Sequence, residues 1–231
     1  MNTFEVQMQA FWAEVQEVYN KVDRKNYTYY MFQTDYHKNP DLMIVGINPG
    51  GGTEGDPSPI LQHCTDYNNY TDGDSQWCGR VRELFDYGNN EYLSNILQNC
   101  VGTNRCYINT PNADILEDIY KNNSEKIFRS VHSERLIPFK NKTGELLDSL
   151  INIIKPKHIL TFGSDVFKHL VGNKIKYNTI GSREMKIGYT KYETINIPVG
   201  YIPNPSGINN KHFPANKMKE WSNTIAEFMN L

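Results

Sequence analysis

Leu42-Met43-Ile44-Val45-Gly46-Ile47-Asn48-Pro49-Gly50 is the stretch whose reading decides the fold. Leu42–Ile47 is an apolar run of strand length, and the Asn-Pro-Gly behind it ends the strand in a turn. A second short motif, Pro203-Asn204-Pro205-Ser206-Gly207-Ile208-Asn209, follows another apolar run near the far end of the chain. Both runs read as buried strands, so both motifs belong on loops at a strand's C-terminal edge. Open α/β sheets build their sites at that edge.

Working outward, Phe4, Met8, Phe11, Val15, Tyr19 and Val22 recur at helical spacing and predict a first amphipathic helix. Residues 50–79 are rich in Gly, Pro, Asp and Asn and predict a long loop with at most short helical turns; loops this long are usually functional or disordered, and its place directly after a motif strand favours function. Val81–Phe85 and Tyr92–Leu97 read as helical, and Arg105–Asn109 as a second strand stopped by Thr110-Pro111. Leu146, Leu147, Leu150, Ile151 and Ile154 form a helical stripe ended by Pro156. His158–Phe162 is a third strand. Gly163-Ser164-Asp165 then caps a helix over Val166–Val171, closed by Gly172. Ile195, Ile197 and Val199 alternate toward Tyr201-Ile202 as a fourth strand, and Pro214 opens a last helix with Met218, Trp221, Ile225 and Phe228 inward. Strands separated by helices predict an α/β fold with a mostly parallel sheet and helices on both faces. One domain over 1–231 is expected, with 1–40 as an N-terminal helical extension.

With 231 residues, 39% of them hydrophobic, the chain can bury one sizeable core. No apolar run approaches the length of a membrane span, and no basic flank precedes an apolar core at the N-terminus. A cytoplasmic location and no membrane partner are expected. The formal charge is only −2, but residues 1–115 hold 7 Lys+Arg against 15 Asp+Glu, whereas 116–231 hold 17 against 11. That asymmetry either sets a basic face on an acidic body or merely distributes solvated charge unevenly. Cys64, Cys78, Cys100 and Cys106 form no Cys-x-x-Cys pair and match no zinc or iron–sulfur spacing, so reduced, mostly buried thiols and no metal are expected.

The pair Gly46-Ile47-Asn48-Pro49-Gly50 and Asn204-Pro205-Ser206-Gly207, in this order and about 155 residues apart, resembles the uracil-DNA glycosylase superfamily. The closest likeness is to its mismatch-type branch. Either motif alone is weak: Asn-Pro-Gly-Gly-Gly is also what a plain turn looks like. The resemblance implies a three-layer α/β/α fold with a small, four-stranded, doubly wound sheet. It implies a DNA glycosylase without a cofactor, working as a monomer on a nucleotide flipped out of DNA. Asn48 stands where the family places its water-orienting Asp or Asn; an amide is no strong base and would hold the water by hydrogen bonds. The backbone around Ile47 would contact the base edge. Gly50 stands where the uracil-specific branch has a bulky Tyr guarding C5, which leaves room for a 5-substituent.

Asn109 matches the family's strand-end asparagine, whose amide offers the base both a donor and an acceptor. Asn204 replaces the histidine of the uracil-specific branch. Ser206 and Gly207 would lie against phosphates, with Lys211 beside them, and Ile208 would enter the stack behind the flipped base. Glu54 and Asp56 are possible general bases that Asn48 cannot be, and His63, Tyr67 and Tyr70 are candidates for stacking on the base. Gly50-x-Gly52-x-x-Gly55 also fits a dinucleotide fingerprint, but Pro57 and Pro59 break the helix it needs. Three readings stay open. They are excision of uracil or a mismatched pyrimidine, excision of bulky phage-modified bases in defence, and a catalytically silent nucleic-acid binder.

Overall fold

The computed structural model describes residues 3–55, 68–73, 76–172, 178–191, 196–203, 214 and 217–231. In chain order they form α1 (Thr3–Asn20), β1 (Leu42–Gly46), α2 (Asn69–Asp72), α3 (Gln76–Phe85), α4 (Glu91–Gln98) and β2 (Val101–Asn104). There follow α5 (Ala113–Asn122), a hairpin of β3 (Ile127–Arg129) and β4 (Leu136–Pro138), and then α6 (Phe139–Ile154) and β5 (His158–Phe162). The chain continues through α7 (Ser164–Val171), β6 (Asn178–Ile180), β7 (Met185–Tyr189), β8 (Pro198–Ile202) and α8 (Met218–Phe228).

The sheet has the order β2-β1-β5-β8-β7-β6. Its first four strands are parallel, in register through Gly46 with Asn104, Leu42 with His158 and Ile159 with Val199. The expected four strands are therefore joined by two antiparallel ones, β7 on β8 and β6 on β7. Neither carries an apolar run. β6 is Asn-Thr-Ile, and β7 alternates, with Met185 and Ile187 buried and Lys186 exposed between them. Such strands are specified by their neighbours more than by composition.

β2 lies four residues before the expected strand, at Val101–Asn104 rather than Arg105–Asn109. All four residues are buried, although Gly102, Thr103 and Asn104 are not apolar. Local partners make this affordable for polar groups. The Gly102 N–H donates to Thr34 Oγ1 (2.8 Å), the Thr103 hydroxyl donates to the Met31 carbonyl (2.7 Å), and the missing side chain of Gly102 admits the Tyr70 ring.

Alternation along the strands divides the core. Met43, Val45, Ile159 and Val199 pack with apolar residues of α1, α5, α6 and α7, while Leu42, Ile44, Leu160 and Ile202 pack with those of α3, α4 and α8. α1 enters this core directly through Met8, Phe11, Val15, Val18 and Tyr19, so the N-terminal 40 residues contribute to the central packing. The α6 stripe is wholly buried and ends at Lys155 in the left-handed conformation, just before Pro156. No helix among the described residues is long and apolar enough to cross a membrane.

Candidate functional site

Because β1, β2, β5 and β8 run in one direction, Ile47, Arg105, Gly163 and Pro203 emerge at the same edge of the sheet. The pairing of β1 with β2 extends into the loops there. The Arg105 N–H donates to the Gly46 carbonyl and the Cys106 N–H to the Ile47 carbonyl, both at 2.9 Å. The half-buried Ile47 side chain lies over Gly163, whose φ of +113° only glycine adopts cheaply.

The Asn48 side chain is fixed by the segment beyond β2. Its Nδ2 donates to Thr110 Oγ1 and to the Pro49 carbonyl, both at 2.8 Å, with the Thr110 and Ile108 carbonyls at 3.4 and 3.5 Å. Three carbonyl oxygens identify this end of the amide as nitrogen, since two carbonyls cannot hydrogen-bond each other. The Thr110 hydroxyl donates its own proton to the Asn112 carbonyl (2.9 Å), leaving a lone pair for Asn48. Thr110 is fully buried, and the Asn112 side chain in turn caps α5 through the Ile115 N–H (3.0 Å). Thr110 is a residue that sequence reasoning passed over, reading it only as the stop of a strand.

Asn109 lies on the same edge as Asn48. Its N–H donates to the Thr28 carbonyl (2.9 Å), and its Oδ1 is buried with no partner among the described residues. Gly52 is buried directly against it, so closely that a Cβ on Gly52 would overlap the Asn109 carbonyl. Gly50, by contrast, is exposed, and a Cβ there meets no described atom within 4 Å. Glu54 is exposed on the same loop. Asp56, His63, Tyr67, Asn204, Ser206, Gly207, Ile208 and Lys211 lie outside the described residues.

Two assignments change once β2 is located. The asparagine that ends the second strand is Asn104, five residues before Asn109. It is buried, lies hard against Gly46 where a side chain would otherwise stand, and its Nδ2 has no partner among the described residues. Tyr70 does not present a free face for stacking: it is 1% exposed, packed on Gly102. The aromatic nearer the strand ends is Trp77 on α3. It is half-buried, edge-on to Phe162 (centroids 5.4 Å) and tilted against Tyr70 (5.3 Å).

Cys78, Cys100 and Cys106 are buried. Burial pushes the Cys100 thiol well above its ordinary range and raises that of Cys106 as well, so neither is a thiolate nucleophile. Among the described residues no group of three or more His, Cys, Asp or Glu side chains is placed to hold a metal ion. Compared with known proteins, the chain matches no family model and no curated protein.

Proposed function

We propose that this chain is a monofunctional DNA glycosylase of the uracil-DNA glycosylase type, which flips a pyrimidine nucleotide out of DNA and hydrolyses its N-glycosidic bond. The observation that carries the reading is the fixed amide of Asn48 at the C-terminal edge of the parallel sheet. With its nitrogen held by Thr110 and Pro49, the oxygen end is the one able to accept a hydrogen bond from water. An amide held this way orients a water without taking its proton. Such a group lowers the barrier by positioning, with the attacking water aimed as the sugar becomes cation-like. Asn104 and Asn109 add two asparagine amides, each with one buried atom lacking a partner among the described residues: a donor on Asn104 and an acceptor on Asn109. A base edge offering one acceptor and one donor is the sort of ligand such atoms suit.

On this reading the helices against both faces of the sheet make a three-layer α/β/α arrangement, with the four parallel strands as its doubly wound centre. The protein would act in the cytoplasm as a monomer without a cofactor. The open surroundings of Gly50 favour a pocket that accepts 5-substituted pyrimidines, which extends the substrate range from uracil and mismatched bases to the modified bases of phage DNA. The test is incubation with duplexes containing uracil, mismatched thymine or 5-hydroxymethyl pyrimidines, followed by alkali. Strand breaks at the modified position support excision. A gel shift with no breaks on any substrate leaves a nucleic-acid binder and ends the enzymatic reading.

A further inference from the structure

A second polar site lies on the face of the sheet that carries α6 and α7. It is a cleft of about 480 Å³ whose lining includes Arg105, His132, Glu145, Asp148, His169 and Lys191. These residues come from five separate places: the end of β2, the β3–β4 turn, α6, α7 and the turn after β7. At its floor Asp148 is buried on α6 and accepts a 2.6 Å hydrogen bond from His169 Nε2. His169 reaches it because position 144 is glycine; a Cβ there would lie 2.6 Å from the imidazole. The other Asp148 oxygen faces His132 Nε2 at 3.7 Å and Lys191 Nζ at 3.8 Å. Glu145 is engaged by the Ser130 hydroxyl and the Val131 N–H.

Asp148 is thus an internal counter-ion to Lys191 and an acceptor for the His169 imidazole, whereas Glu145 is held by two neutral donors. Arg105 is different. Its Nε is buried with no partner among the described residues, although a buried, unsatisfied guanidinium donor is costly. A cleft of this volume exceeds what one water fills and falls in the range of small-molecule sites.

We infer that this cleft binds a phosphate group, with Arg105, Lys191 and His132 as its donors. A tetrahedral oxyanion presents acceptors in several directions and can meet donors from three elements at once. A planar carboxylate offers two oxygens and suits a single guanidinium fork. The phosphate can come from a free nucleotide or from the backbone of a nucleic-acid strand. The site stands apart from the excision reading.

The test is calorimetric titration of the full chain with inorganic phosphate, thymidine 5′-monophosphate and a short single-stranded oligonucleotide. The variants are Arg105→Gln and Lys191→Gln, with Lys157→Gln as control, because Lys157 pairs with Asp41 outside the cleft lining. At least one anion should saturate the parent chain, and each cleft variant should weaken it by about tenfold or more, the control leaving it unchanged. Lys191 is exposed, so its replacement keeps the test decisive even if Arg105→Gln does not fold. Binding of phosphate or nucleotide points to a free ligand, and binding of the strand alone to a nucleic-acid backbone; both uphold the site. Saturation by none of the three at millimolar concentration, or equal weakening by Lys157→Gln, overturns it. Excision without phosphate binding would end the cleft proposal alone, and phosphate binding without excision would end the excision reading alone.

Discussion

Replacing Gly52 by alanine tests the packing that shapes the candidate site. The added methyl would coincide with the Asn109 carbonyl and crowd its side-chain amide carbon, 2.8 Å away. The obstacle is backbone, which cannot rotate aside as a flexible side chain would. The loop after β1 must therefore lift off the segment after β2, or that segment must move. Overpacking of this kind costs about 1–3 kcal/mol, and a rigid obstacle puts the expected loss in the upper half, about 2–3 kcal/mol. For a chain of this size that lowers the melting temperature by about 5–10 °C. Gly50→Ala, two residues earlier, is the matched control. Its new methyl has open surroundings and an ordinary φ, so its stability should stay within about 1 kcal/mol of the parent. Scanning calorimetry and urea unfolding of both variants give the comparison. If Gly52→Ala melts with the parent, the loop does not lie on Asn109, and the geometry that brings Asn48 to Thr110 loses its support.

Further outcomes follow from individual contacts. Asn48→Ala should lower single-turnover excision by at least about a hundredfold with little change in DNA affinity, because the water it orients matters in the transition state; unchanged turnover would move the role to another group, Glu54 first. Thr110→Val removes the acceptor of the Asn48 amide while keeping volume. It should cost about 1–3 kcal/mol in urea unfolding and slow excision in parallel; a stability loss with full activity would show that Asn48 needs no such support. Gly50→Tyr should impair excision of 5-substituted bases and spare uracil, and equal losses on both would show that Gly50 does not face C5. Burial lowers the His158 pKa below its ordinary value; its Nδ1 faces the Asp41 carbonyl (3.2 Å) and its ring stands edge-on to Phe228. The unfolded chain takes up that proton first as pH falls through about 6.5, so stability should drop from there downward. His158→Gln should flatten the fall in melting temperature between about pH 7.5 and 5.5, and an unaltered slope would assign it to other groups.

Where burial requires a run or stripe of apolar side chains, the sequence announced the element. The β1 run, the α6 stripe ended by Pro156, β5, the Gly163-to-Gly172 helix and α8 are of this kind. β2 escaped because its residues are buried by matching partners rather than by being apolar: Thr34 for Gly102, Met31 for Thr103, Gly46 for Asn104. The more apolar Arg105–Asn109 attracted the assignment and is instead the loop that receives Asn48. The same slip moved attention from Asn104 to Asn109. Tyr70 looked available because it follows a polar loop, yet the vacancy at Gly102, 32 positions further along the chain, is what buries it. Nothing local records such a long-range complement. The α6–α7 cleft was invisible for the same reason, since its seven polar residues are spread from 105 to 191.

The joined loops after β1 and β2 bear on how this scaffold can be re-engineered. Gly46, Ile47, Asn48 and Gly52 on one side meet Arg105, Cys106, Thr110 and Asn109 on the other through backbone, side-chain and steric contacts. A substrate-specificity transplant that moves only the first loop would leave its recipient without the acceptor that orients the asparagine and without the surface that seats the glycine. The exchangeable module is therefore the pair of segments, with the N-terminus of α5 included because Asn112 fixes Thr110.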